Sequence, residues 1–191
     1  MKNRHMSKIL DIIILYLRDY TCSFSGREIA RLSNLSPQSA LNTLNLLVKE
    51  KILNKKKEGR NYKYYLTYNK LKTKNYLQLA ETYFASSYLD NFELNSIISE
   101  LICFSETMII FGSYAKKLEK NDSDIDLIAI NGNKLKIEKA KSIFLREINV
   151  QYVTWNEFRA SLKNKNHLAI EIKKNHLIYG NVFKVVEAYC E

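Results

Sequence analysis

The chain lacks the features that mark disordered, secreted and membrane-spanning proteins. It has 191 residues with one proline and five glycines, and 46% of its residues are hydrophobic. Such a composition predicts a folded core rather than a disordered chain. The best apolar run, residues 9–17, is interrupted by Asp11 and falls short of the roughly 18 residues that a membrane-spanning helix needs. No signal-peptide pattern opens the chain, so we expect a cytoplasmic protein without a membrane partner.

Cysteine and histidine are also scarce and badly spaced for a metal site. The three cysteines are an odd number and stand far apart, which fits reduced thiols better than disulfides or zinc ligands. The three histidines show no ligand spacing either. These residues are Cys22, Cys103, Cys190, His5, His167 and His176.

The positive charge is confined to one part of the chain. The net charge is +10, and residues 1–70 hold 14 Lys and Arg against 5 Asp and Glu, a balance of +9. Residues 71–191 hold 16 against 15, a balance of +1. The asymmetry indicates a polyanion-binding module followed by a part with a different task.

Residues 7–68 predict three helices followed by two short strands. Apolar spacing predicts a helix over residues 7–20 and a second over residues 26–32. Ser36 before Pro37 is a strong helix-start signal and predicts a third helix to about residue 51, with Leu41, Leu44 and Val48 turned inward and Leu47 as a further candidate for the inner face. Strand-like runs at residues 52–57 and 61–67 flank the turn at residues 58–60.

This layout resembles the winged-helix domains of bacterial and archaeal transcription regulators, which implies binding to double-stranded DNA. The third helix is in the recognition position, and the hairpin is the wing. Two alternatives stay open: the polar helix face is merely solvated, or the domain contacts protein. The DNA-binding candidates are Gln38, Ser39, Asn42 and Thr43 on the helix, and Lys55, Lys56, Lys57, Arg60 and Lys63 on the wing.

Residues 71–104 have apolar positions at helical spacing, with a break at Asp90 and Asn91. We interpret them as a helical linker that also contributes to a homodimer, because many winged-helix regulators bind two-fold DNA sites.

The motif that carries chemistry follows the linker. The sequence MIIFGSYA at residues 108–115 precedes SDIDLIAI at residues 123–130, and ten residues separate Ser113 from Asp124. Gly112 lets the backbone approach a phosphate, and Ser113 opens a helix whose free N–H groups favour an anion. Asp124 and Asp126 are two apart on a strand, so both point to one face and can share divalent cations. Each element alone is common on protein surfaces, but the conjunction is rare.

The motif resembles the nucleotidyltransferase superfamily that includes DNA polymerase beta, kanamycin nucleotidyltransferase and the minimal nucleotidyltransferases. The minimal group carries the pattern Gly-Ser, ten residues, Asp-x-Asp, and the resemblance covers roughly residues 105–185. It implies that Asp124 and Asp126 are catalytic and bind Mg²⁺ or Mn²⁺. It also implies that Gly112 and Ser113 bind the nucleotide, an NTP with ATP expected.

The sequence departs from this family at two positions. Active members carry a third carboxylate on a later strand, where this chain has Gln151; Glu147 and Glu157 flank that strand but are expected on the surface. An amide oxygen ligates Mg²⁺ weakly and cannot take a proton. Lys117 stands where the family usually has glycine, so it either clashes with a left-handed conformation or supplies charge to a phosphate.

The predicted fold class is α/β (α+β). A winged helix-turn-helix domain spans residues 1–70, the helical linker residues 71–104, and a nucleotidyltransferase fold residues 105–191, with a small mixed sheet flanked by helices.

Two functions compete. In the first, the protein transfers AMP or another NMP from an NTP to a hydroxyl. The family resemblance implies, in addition, an antitoxin-like role in which the acceptor is a toxin of the HEPN type or another protein. In the second, a transcription regulator senses nucleotide through a domain that no longer turns it over. A plain dimerisation scaffold is the weakest reading, because it leaves the intact motif unexplained.

Overall fold

A computed structural model describes residues 2–118, 120 and 123–191. The chain forms two compact units, and the boundary between Ala80 and Glu81 falls inside one helix, α4 (Leu71–Ser86). No helix within the described residues has the length and apolar character that crossing a membrane would require.

Within the described residues, the first unit contains three complete helices, the first part of α4 and a three-stranded sheet. The strands are antiparallel and lie in the order β1-β3-β2. The elements are α1 (Lys2–Ile13), a 3-10 turn (Ile14–Tyr16), β1 (Ser23–Ser25), α2 (Gly26–Leu32), α3 (Pro37–Lys49), β2 (Leu53–Glu58) and β3 (Asn61–Leu66).

Local capping explains why α2 and α3 begin where they do. The Ser25 side chain accepts a hydrogen bond from the Glu28 N–H, and the Glu28 carboxylate accepts one from the Ser25 N–H, a reciprocal capping box. At α3, the Ser36 side chain accepts from the Ser39 N–H and Pro37 takes the first helical position. Both predicted helix starts are confirmed.

Two predictions for this unit are wrong in detail. The first helix begins at Lys2 and its α-helical part ends at Ile13, earlier than predicted at both ends. Helix α3 buries Ala40, Thr43, Leu44 and Leu47 and leaves Leu41 45% exposed, so its inner face is rotated from the predicted one. Thr43 can be buried because its hydroxyl donates to the Ser39 carbonyl oxygen at 2.9 Å.

The second unit is built on a four-stranded mixed sheet in the order β6-β5-β4-β7. Strands β5 and β6 are parallel, and the other two pairs are antiparallel. The elements are α5 (Phe92–Leu101), β4 (Thr107–Phe111), α6 (Gly112–Ala115), β5 (Ile125–Ile130), α7 (Lys134–Lys141), β6 (Ile148–Val153), α8 (Trp155–Lys163), α9 (His167–Lys174), β7 (Leu177–Gly180) and α10 (Val182–Cys190). The predicted small mixed sheet flanked by helices is confirmed.

The two faces of this sheet differ. Ile125, Leu127 and Ala129 of β5 are buried in a core that includes residues of α5 and α7. Side chains alternate along a strand, so Asp126 and Ile128 point to the opposite face. The segment predicted as a linker therefore includes α5, which packs into the core of the second unit.

A buried polar pair joins α4 to the end of α9. The Glu81 and His176 side chains are 1% and 2% exposed, and Glu81 Oε1 lies 3.1 Å from His176 Nε2. His176 Nδ1 lies 2.9 Å from the Ile172 carbonyl oxygen, which can only accept, so Nδ1 carries a proton. The Nε2 contact then requires a further proton, shared between the imidazole and the carboxyl group. Burial lowers the pKa of His176, but the Glu81 carboxylate and the hydrogen bonds of the ring to Glu81 and to the backbone together outweigh it, so the pKa is raised.

Candidate active site

The Gly-Ser turn meets Asp126 at one corner of the mixed sheet. Phe111, the last residue of β4, pairs with Asp126 near the start of β5. Gly112 follows with φ of +71°, and a Cβ built there would lie 2.4 Å from Asp126 Oδ2. Glycine at this position is therefore required both for the left-handed backbone and for the space that the Asp126 carboxylate occupies.

The two aspartates lie at the start of β5: Asp126 is on the strand, whereas Asp124, which was predicted on the same strand, stands one residue before it. Asp126 is half-buried and Asp124 is exposed just before β5, while Ile125 between them is buried. The Ile125 N–H donates to the Glu147 carbonyl oxygen at 3.0 Å, which fixes the strand at this point. Among the described residues no group of three or more His, Cys, Asp or Glu could hold a metal. A cation here would depend on two carboxylates.

Strand β6 places amides, not acids, beside these carboxylates. Because β5 and β6 are parallel, Asn149 lies in register with Asp126, and Gln151 with Ile128, all on the same face. Both amides are exposed. Gln151 lies on the predicted side of the sheet, and Asn149, which sequence reasoning missed, is closer in register to Asp126.

Neither flanking glutamate takes the place of the missing acid on β6. Glu147 is exposed just before the strand. Glu157 belongs to the capping box that starts α8: the Thr154 N–H and hydroxyl donate to its carboxylate, which holds the pKa of Glu157 below its usual range. Its carboxylate is committed to that helix end.

Lys117 adopts the left-handed conformation that family members accommodate with glycine. Its φ is +55°, a conformation that costs a non-glycine residue about 1–3 kcal/mol. Its ammonium lies 4.7 Å from the centroid of the Tyr88 ring, a cation–π contact that offsets part of this cost. The neighbouring Lys116 pairs with Glu171 of α9. A phosphate would have to draw Lys117 away from Tyr88.

Arg146 is a second residue that sequence reasoning missed. Its guanidinium donates to both carboxylate oxygens of Glu93, at 3.0 and 2.7 Å, and its Nη1 donates to the Ser123 carbonyl oxygen at 3.1 Å. The side chain is only 16% exposed. Since Ser123 immediately precedes Asp124, Arg146 ties the carboxylate motif to α5. No local signal marks this role, because the three residues are distant in sequence.

The nucleic-acid candidates of the first unit divide into three groups. Gln38 and Asn42 are exposed and joined by a hydrogen bond of 2.9 Å from Nε2 to Oδ1. Ser39 is half-buried with its Oγ shielded from solvent, and Thr43 is 1% exposed, so the prediction that Thr43 faces outward is wrong. The wing residues Lys55, Lys56, Lys57 and Arg60 are exposed.

The wing lysines do not form one cluster. Lys56 pairs across the hairpin with Lys63, and alternation puts Lys55 and Lys57 on the other face. The Lys63 ammonium lies 2.8 Å from Glu28 Oε2. That contact, with the Ser25 N–H, lowers the pKa of Glu28 to about 2. Lys63 is thus neutralised within the unit, unlike the other wing candidates.

The comparison with protein families decides the class of the second unit. Residues 93–179 match the family model described as "Nucleotidyltransferase domain". Residues 93–179 of the second unit are therefore similar to a nucleotidyltransferase domain. The matched residues run from α5 to β7 and include the Gly-Ser turn, both aspartates, Arg146 and Gln151. Nucleotidyltransferase domains generally use an NTP and a divalent metal ion. No curated protein and no solved structure matches the chain.

Proposed function

We propose that the protein transfers a nucleoside monophosphate, AMP by expectation, from an NTP to a hydroxyl acceptor at the corner formed by Gly112, Ser113, Asp124 and Asp126. The observation that carries this proposal is the close approach of Gly112 to the Asp126 carboxylate, whose Oδ2 would have to shift to admit a Cβ at position 112. A solvated turn or a dimerisation scaffold has no need for such a fit.

The donor set fits a hard divalent cation. Asp126 lies on the sheet face that also carries the exposed amides of Asn149 and Gln151, and the exposed Asp124 stands one residue before β5. Mg²⁺ and Mn²⁺ prefer oxygen ligands and keep several waters. When bound, such an ion would neutralise phosphate charge and polarise the transferred phosphoryl group. The backbone at Gly112 and Ser113 would orient the triphosphate beside the two aspartates.

Because position 151 carries no acid, another group must take the proton that the acceptor hydroxyl loses. Gln151 cannot accept a proton. The acceptor hydroxyl must therefore lose its proton to Asp124, to Asp126 or to solvent. This makes a slow transferase the expected behaviour.

The test is transfer of label from each α-³²P-labelled NTP, with Mg²⁺ or Mn²⁺, to the protein itself and to components of a cell extract. Asp124→Asn and Asp126→Asn are matched controls that remove charge and keep shape. Label transferred by the wild type but not by either control supports the proposal, and a labelled protein band would identify a protein acceptor such as a HEPN-type toxin. A wild-type protein that binds NTP and never transfers label would contradict it.

That second outcome is what the alternative function expects. In it, the domain senses nucleotide and the first unit regulates transcription. Gln151 is the observation that favours this alternative, because it removes an acid and leaves the turn and both aspartates in place. Asp124→Ala would then weaken nucleotide binding and change DNA affinity together.

We also propose that the first unit is a winged-helix domain that binds double-stranded DNA. Support comes from the charge of +9 over residues 1–70, from the exposed Gln38 and Asn42 on α3, and from the exposed cations of the hairpin. Fluorescence anisotropy with labelled random duplexes tests it. Binding that weakens steeply with salt is expected. Binding to a protein but to no duplex would favour the protein-contact alternative.

A further inference from the structure

The first unit contains a groove of about 540 Å³ between α2, the start of α3 and the β2–β3 hairpin. Three arginines line it, from two different elements: Arg27 and Arg31 from α2, and Arg60 from the hairpin turn. Only Arg60 was expected from the sequence to meet nucleic acid. The other two arginines become candidates only once α2 and the hairpin are folded side by side.

These arginines are available to an external anion. In the part of the chain that the structure describes, none of the three makes a side-chain hydrogen bond or an ion pair, and no acidic residue lines the groove. Other cations of this unit are already engaged: Lys63 with Glu28, and Lys72 with Glu50. Three unneutralised guanidinium groups on one groove favour a ligand that carries several phosphates, which arginine can bind in bidentate fashion.

The apolar part of the groove indicates what else the ligand carries. Leu41 and Tyr62 line it and are 45% and 47% exposed, so both present apolar surface to a ligand in the groove. A free phosphate or polyphosphate offers nothing for them to contact. A sugar–phosphate chain does, because deoxyribose rings and base edges present apolar surface between the phosphates.

The position of the groove relative to the polar face of α3 completes the argument. Pro37, Leu41 and Leu44 turn toward the groove at positions i, i+4 and i+7. Gln38 and Asn42 each follow a groove residue by one position, about 100° around the helix. A strand lying in the groove would therefore run alongside the side chains best placed to reach base edges.

We propose that this groove grips the backbone of one strand of duplex DNA, with Arg27, Arg31 and Arg60 on its phosphates and Leu41 and Tyr62 against its sugars. This inference rests on the proposed DNA binding of the first unit and adds the residues that anchor the strand. Two of these anchors, Arg27 and Arg31, belong to α2, so α2 binds the strand together with the hairpin.

The experiment compares two triple variants of the full chain with the same loss of charge. Arg27→Gln, Arg31→Gln, Arg60→Gln removes the groove cations; Arg18→Gln, Lys49→Gln, Lys70→Gln removes exposed cations of the same unit that do not line the groove. Affinity for a labelled duplex is measured by anisotropy over a range of KCl concentrations. Each lost phosphate contact lowers the slope of log K against log salt by about 0.9, so the groove variant should lose between two and three in slope and roughly tenfold or more in affinity. The control variant should stay close to wild type.

A third variant tests the apolar contact separately. Leu41→Ser should weaken duplex binding severalfold and leave the salt slope unchanged, because no charge is removed. Circular dichroism and thermal melting of each variant separate a loss of binding from a loss of fold.

The outcomes are distinguishable. Equal losses in the two triple variants would show a general charge effect and overturn the groove assignment while DNA binding itself stands. A groove variant that loses affinity for ATP or tripolyphosphate but keeps its affinity for duplex would also overturn it, in favour of a small-anion site. A wild-type protein that binds no duplex would overturn both this inference and the proposed DNA binding.

Discussion

Restoring a carboxylate at position 151 tests the proposed chemistry most directly. Gln151 lies on the strand next to β5, on the face that carries Asp126, and its side chain is exposed. Gln151→Asp should therefore change the free energy of unfolding by no more than about 0.5 kcal/mol. A positioned general base contributes roughly 10²- to 10⁴-fold to a rate. That range corresponds to about 3–5 kcal/mol of activation free energy.

We expect Gln151→Asp to raise the rate of NMP transfer by at least tenfold, and to make it rise with pH through the pKa of the new acid. Release of pyrophosphate from the NTP is the readout, because it does not require the acceptor to be known. Gln151→Asn is the matched control, since it has the size of aspartate without the charge. Gln151→Glu tests whether the longer side chain places the acid as well.

Equal rates for Gln151→Asp and Gln151→Asn would refute the reasoning that an absent base limits the enzyme. Asn149→Asp provides a second discrimination, because Asn149 is the residue in register with Asp126. A higher transfer rate for Asn149→Asp but not for Gln151→Asp would place the third acid beside Asp126 itself, and not beside Ile128 as the sequence resemblance implies.

Three further substitutions test the supports of the site and of the fold. Gly112→Ala should cost about 1–3 kcal/mol of stability, because φ is +71°, and should lower the rate of transfer about 100-fold by displacing Asp126. Gly59→Ala is the matched control: φ is +58° and nothing lies within 4 Å of an added Cβ, so it should cost similar stability and leave transfer intact. Equal transfer rates in the two variants would count against the Gly112–Asp126 fit. Arg146→Lys should raise the Mn²⁺ concentration needed for half-maximal transfer, because a lysine cannot hydrogen-bond to Glu93 and Ser123 at the same time as the guanidinium does. An unchanged dependence of transfer on Mn²⁺ concentration would assign Arg146 a structural role only. His176→Gln should destabilise the fold at pH 6, by up to about 3–5 kcal/mol, because it removes the cationic partner that lies 3.1 Å from the buried Glu81 carboxylate. The pKa of His176 is raised in the folded state, so the stability that the His176–Glu81 pair contributes is fully present below the unfolded histidine pKa of about 6.5. That stability is lost as the pH rises through the folded pKa. A difference in unfolding free energy between wild type and His176→Gln that stays constant from pH 6 to pH 10 in denaturant unfolding would contradict this.

Features set by neighbouring residues could be predicted from the sequence. The starts of α2 and α3 depend on Ser25, Ser36 and Pro37, which act within four residues, and both were predicted correctly. The Gly-Ser turn and Asp-x-Asp motif were likewise readable, because two flanking apolar strands and their spacing determine which side chains meet. The left-handed conformation of Lys117 was one of the two alternatives that the family resemblance left open for this position.

Features set by distant contacts could not be predicted in this way. The inner face of α3 was misjudged because hydrophobicity alone favoured Leu41 over Thr43, whereas the helix buries the threonine with its hydroxyl satisfied by Ser39 and leaves the leucine on the groove. Arg146 and Asn149 reach the active-site corner only through the Glu93 ion pair and the β5–β6 register. In each case a side chain that looks like ordinary surface or core in the sequence takes its role from a partner tens of residues away.

The contrast between features set by neighbouring residues and features set by distant contacts determines how the natural glutamine at position 151 should be interpreted. A motif read from spacing shows which chemistry the chain was built around, but the surrounding contacts show whether the site is still held in place. Here Gly112 packs against Asp126, and Arg146, itself nearly buried, ties Ser123 to Glu93. A domain that had lost its chemistry entirely would have no reason to keep both supports around the half-buried Asp126 and the exposed Asp124. The retained supports therefore favour a site that still binds nucleotide, and they make transfer of label by the wild type, rather than nucleotide binding, the measurement that separates a slow transferase from a sensor.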